Sequence, residues 1–81
     1  MSQATPTSNK EVEACIGFCD LPIQEMMHWM HLLPVGSVLA VDSSEPADAR
    51  DIPLWLGKVH YEFVGALPER DHTRFVARKT H

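Results

Sequence analysis

The apolar pattern of this chain changes period at Cys19. Before it, Val12, Ala14 and Ile16 alternate with Glu11, Glu13 and Cys15, the two-residue repeat of a strand covered on one face. After it, Ile23, Met26, Met27, Met30 and Leu33 recur at three- and four-residue intervals, which makes one apolar stripe on a helix. A strand that hands over so quickly to a one-striped helix restricts the chain to folds that lay helices on a sheet. Gly17 is the expected end of the strand. Asp20 is placed to cap the helix, with Pro22 in its first turn, where a missing N–H costs nothing. Leu33-Pro34-Val35-Gly36 stops the helix. Leu32 points away from the stripe and has no core role.

The handover is repeated once. Residues 38–41 are short and apolar, as a covered strand requires, and 42–46 carry turn chemistry. A second stripe follows at Ile52, Trp55, Leu56 and Val59. Asp51 and Pro53 resemble a cap and first-turn pair, although helical turn could begin as early as Ala47. Residues 60–67 and 74–80 are expected as two further strands, joined by a hairpin loop over 68–73. The order is βαβαββ. It predicts an α+β fold, a two-layer α/β sandwich with a four-stranded mixed sheet and two helices on one face. Residues 1–10 are polar and are expected as a flexible N-terminal tail, leaving 11–81 as a single domain.

Composition narrows the function classes. With 81 residues there is room for one small core and little room for a deep substrate pocket. A net charge of −4 disfavours direct binding to nucleic acid or to anionic lipid. Two cysteines make at most one bridge, which excludes a secreted disulfide scaffold. The longest purely apolar run, Val38-Leu39-Ala40-Val41, is far shorter than the ~18 residues of a membrane span, and the polar start has no signal-peptide pattern. No membrane insertion and a cytoplasmic location are therefore expected.

Cys19 is the most informative candidate. It falls between a strand and a helix, so the helix N-terminus should favour its thiolate over its thiol. A small, inert, buried cysteine fits the same position. Alternation puts Cys15 on the other strand face, and Cys-x3-Cys is not the redox spacing, so Cys15 reads as a bystander. His28 and His31 could supply two metal ligands, but a third and fourth at recognisable spacing are lacking, so no metal site is expected. Met26, Met27 and Met30 read as core, and Trp29, at the stripe's edge, as a contact candidate. Arg74 and Arg78 share a strand face, with Lys79 adjacent, either as a solvated face or as a docking patch for an acidic partner.

The ordered set Cys19-Asp20-Leu21-Pro22, Pro34-x-Gly36, a Val/Leu strand, Glu45-Pro46 and Asp51-Ile52-Pro53-x-Trp55 resembles the TusA/SirA-like sulfur carriers. The resemblance covers roughly residues 11–80. It implies the βαβαββ sandwich and a motif cysteine, here Cys19, that carries sulfane sulfur as a persulfide without a bound cofactor. It also implies a donor protein, a cysteine desulfurase or rhodanese-like protein, and an acceptor protein. The chain departs from the family pattern in three places. Asp20 replaces the first motif proline, Gly17 stands one residue later than the usual glycine, and His60-Tyr61 is shifted by one from a common Gly-His pair. The expected function is thus a monomeric sulfur carrier or sulfurtransferase acting through Cys19. The alternative is a non-catalytic interaction or regulatory module with the same fold and a drifted cysteine site.

Overall fold

A computed structural model describes residues 14–81. The tail expected over 1–10, and strand residues 11–13, lie outside the described residues. The elements run β1 (Ala14–Phe18), α1 (Pro22–Leu32), β2 (Val38–Ser43), α2 (Asp48–Val59), β3 (Glu62–Pro68) and β4 (Thr73–Arg78). The sheet order is β1-β2-β4-β3, with β1 parallel to β2 and the other neighbours antiparallel. This is the βαβαββ mixed sheet that the two periods predict. Both helices pack on one face, where Met26 and Met30 of α1 and Ile52 and Leu56 of α2 meet Leu39, Val41, Phe75 and Ala77. Val38, Ala40 and Val76 form a separate small cluster, on the alternate side chains of β2 and β4.

Several boundaries differ from expectation for local reasons. Gly17 does not end β1. It sits inside the strand at φ +82°, where the pairing with β2 loses register between Cys15 and Phe18. That is a bulge at a residue able to adopt a left-handed conformation. Asp20 does not cap α1; Leu21 is the N-cap residue, with no side-chain cap bond. Pro22 bars its predecessor from helical geometry, so Leu21 stays non-helical and Asp20 falls one position too early. Along α1, Met26 and Met30 are fully buried, whereas Met27 is 43% exposed. Met27 and Trp29 lie on opposite edges of the buried strip, and it is Trp29 that packs against the core.

β2 runs two residues past the apolar stretch, through Asp42 and Ser43, both buried. The expected turn therefore begins only at Ser44. Burial is tolerated because both side chains are satisfied, Asp42 by Arg74 and Ser43 by Asp48. α2 starts at Asp48, with Ala47 as N-cap, the earlier of the two starts the sequence allows and not the Asp51–Pro53 pair. N–H groups of Asp48, Ala49 and Arg50 each bond the carbonyl three residues back, winding the chain before Pro53 is reached. Pro53 lies inside the helix. His60 ends α2 in the left-handed region and Tyr61 N–H bonds Leu56 O, so residues 60 and 61 are helix exit and not strand. β4 ends at Arg78, before the expected 80; beyond it the Lys79 backbone bonds Gly36 and Ser37, and its ammonium donates to the Leu33 carbonyl at 2.8 Å.

Candidate functional site around Cys19

Cys19 occupies the three-residue link between the end of β1 and Pro22. It is half-buried and packs against the main core, which puts its sulfur on the helix side of the sheet. The thiol donates weakly to the Gly17 carbonyl at 4.0 Å. The bulge at Gly17 thus shapes the turn that presents Cys19.

The electrostatics run against a stabilised thiolate. Burial pushes the Cys19 thiol above its ordinary value, and the carboxylates of Glu25 and Asp20 push it further in the same direction. Pro22 opens the helix without an N–H, so one of the free donors that a helix start ordinarily offers is missing here. Asp20 is exposed and does not cap, so its charge is not absorbed by α1.

Two shallow clefts meet at Cys19. One, of about 390 Å³, runs toward Ser43, Glu45 and Asp48 at the end of β2. The other, of about 400 Å³, runs along the start of α1 past Leu21, Gln24 and Glu25. Their charged lining residues are all carboxylates: Asp20, Glu25, Glu45 and Asp48. Ser43 shapes the first cleft. Its hydroxyl donates to Asp48 at 2.5 Å and accepts the Glu45 N–H at 3.0 Å. Phe18 and Leu21, on either side of the cysteine turn, are 62% and 59% exposed. Such apolar residues beside a thiol suit contact with another protein better than enclosure of a small molecule. The periodicity of the sequence singles out none of Phe18, Leu21, Glu25 and Asp48. Its one available signal was an aromatic directly before the cysteine.

The remaining candidates do not converge on Cys19. Cys15 is a free, exposed thiol on the opposite face of β1 from Ala14 and Ile16, which pack on the core. His28 and His31 lie on the exposed face of α1, and no group of three or more metal-binding side chains occurs among the described residues. Arg74 and Arg78 do share a face, but each is paired. Arg74 donates to both Asp42 oxygens at 2.8 and 3.2 Å, and Arg78 meets Glu62 at 3.2 Å. They are cross-strand links more than a free cationic patch. None of the helices among the described residues is long and apolar enough to cross a membrane.

Searched against protein-family models, the chain matches none. It is similar to an Archaeoglobus fulgidus protein named "Putative sulfur carrier protein", at 37% identity over 68 residues, 84% of this chain and 93% of that one. Identity at this level over nearly the whole of both chains is shared ancestry of the domain, not a match of one short motif. The chain belongs to the sulfur carrier family, which its Cys-Asp-Leu-Pro and Asp-Ile-Pro segments resemble.

Proposed function

We propose that the chain is a sulfur carrier that takes sulfane sulfur onto Cys19 as a persulfide and relays it to a partner protein. The observation that carries the reading is the placement of Cys19. It is a half-buried thiol at a strand-to-helix turn, open to two shallow clefts and flanked by exposed Phe18 and Leu21. In the loading step, the Cys19 thiolate attacks the terminal sulfur of a donor persulfide. A new S–S bond forms as the donor's S–S bond breaks, and the donor leaves as a thiolate. In the unloading step an acceptor thiolate attacks the same terminal sulfur and Cys19 leaves as thiolate. Each step exchanges one disulfide-type bond for another and needs no outside oxidant or bound cofactor. By the family resemblance the donor is a cysteine desulfurase or rhodanese-like protein, and the setting is the reducing cytoplasm.

Free Cys19 is held mostly as thiol by burial, Glu25 and Asp20, so the first step calls for a partner that withdraws that bias. A donor whose docking surface brings cations to Asp20 and Glu25 would do so. The same raised thiol is what favours the second reading, an interaction module whose cysteine no longer reacts. Intact mass after incubation with a persulfide donor separates them. The carrier reading expects one added sulfur atom in wild type and in Cys15→Ser, and none in Cys19→Ser. Absence of uptake by wild type from competent donors overturns it in favour of the module.

A further inference from the structure

The Cys19 turn is poorly held by its own chain. β1 is out of register just before it, Gly17 is left-handed, and α1 begins without a side-chain cap. Phe18 supplies a hold from outside the turn. Its ring meets the imidazole of His72 edge to face, with centroids 4.9 Å apart. His72 lies on the loop between β3 and β4, 53 positions along the chain from Cys19, yet its side chain is largely buried, with one ring nitrogen hydrogen-bonded and the other facing a carboxylate. Nδ1 is 2.8 Å from Asp71 Oδ1, and Nε2 is 3.7 Å from Asp42 Oδ1. Asp42, buried at the end of β2, is in turn fixed by both of its bonds to Arg74 of β4.

We infer that His72 is a positioning residue for Cys19, acting through Phe18 to hold the cysteine turn at its half-buried depth. The link runs from the rigid centre of the sheet (Arg74 and Asp42), through the hairpin loop (His72), to the residue directly before the thiol. A largely buried ring, bonded through Nδ1 to Asp71 and facing Asp42 through Nε2, gives Phe18 a defined surface to pack on. Without the edge-to-face Phe18–His72 contact, the turn keeps only the packing of Cys19 on the core, between a bulge and an uncapped helix start. Its bearing on sulfur transfer rests on the reading of Cys19 as the sulfur-bearing thiol; its bearing on the thiol's exposure does not.

The test is the alkylation rate of Cys19 by iodoacetamide across pH, with Cys15 in the same molecule as internal reference. The charged groups facing His72 are Asp42 from β2, Asp71 and Glu69 from the hairpin loop, Arg74 from β4 through Asp42, and Glu45 across the cleft they share. Their titration is followed in wild type alongside. His72→Ala and Phe18→Ala are expected to raise the Cys19 to Cys15 rate ratio at neutral pH by about three-fold or more, and to move the Cys19 midpoint to lower pH, as a thiol gains solvent. The double variant should exceed neither single one, since both remove the same ring pair. His72→Asn, which keeps a hydrogen-bonding group but no ring, should behave as His72→Ala, while Phe18→Tyr should match wild type. An unchanged ratio in His72→Ala overturns the inference. So does a parallel change at Cys15, which would mean general loosening, or additivity in the double variant. Sulfur uptake by mass, measured on the same proteins, reports separately on the carrier reading.

Discussion

At the scale of single residues, the charge environment of Cys19 is the feature with most consequence. The thiol sits beside a helix start yet is raised, first by burial and then by the carboxylates of Glu25 and Asp20, which meet no cationic side chain in the clefts. Removing either negative charge should favour the thiolate. Asp20→Asn and Glu25→Gln are each expected to lower the Cys19 midpoint and speed its alkylation at pH 7, by about two- to five-fold for exposed groups screened by salt. Alkylation rate against pH is the measurement, and raising the ionic strength should shrink the difference from wild type. Burial, the larger cause, is untouched by these changes, so neither variant should bring the midpoint below that of an ordinary thiol.

At the scale of elements, β1 and its bulge have the largest effect on the site. Gly17 adopts φ +82°, and a Cβ built there meets nothing within 4 Å. The cost of Gly17→Ala is therefore backbone strain alone, about 1–2 kcal/mol. The measurement is the urea midpoint, with the m-value unchanged if the fold is kept. The same substitution should change Cys19 reactivity more than that of Cys15, because the strained residue's carbonyl is the one the Cys19 thiol faces. α2 shows the opposite balance. Pro53 stands inside it and removes one intrahelical bond, yet the helix persists because Ile52 and Leu56 on either side are fully buried. Packing overrides a local breaker there; at Gly17 local conformation makes the packing possible.

At the scale of the whole molecule, the partly buried Asp42–Arg74 pair joins the two central strands, and Asp42 also faces His72 of the hairpin loop. The Arg74 guanidinium holds the Asp42 carboxyl below its ordinary range, outweighing burial. A group with a lowered folded pKa stabilises the fold above its unfolded value of about 3.9 and loses that contribution as pH falls through the folded value. Stability should accordingly fall in acid, below about pH 4 for this pair. Arg74→Met removes both hydrogen bonds that Arg74 gives the buried Asp42 carboxylate and should cost about 1–3 kcal/mol at pH 7. The acid-dependent part of that stability should flatten or reverse, because Asp42 then gains by protonation. Urea unfolding of both proteins between pH 3 and pH 7 checks this.

Much of the molecule was determined by the order of residues alone. The change of period at Cys19 and its repeat before Ile52 dictate which segments are strands and which are helices. With one apolar stripe per helix, a sheet with helices laid on it buries them, and here both lie on one face. Placement was legible where it depended on chain position: Cys19 at the junction, Cys15 facing away. What only the tertiary structure decided are the effects of residues distant in sequence or of backbone angles. Asp42 reads as a turn residue until Arg74, 32 positions on, arrives to pair it. Asp20 reads as a cap until Pro22 forces Leu21 into that place. His72 reads as loop until Phe18 is brought to its ring. Periodicity is a local property and survives in the sequence; electrostatic and aromatic partnership is a property of folded distance, and the direction of the Cys19 bias was set there.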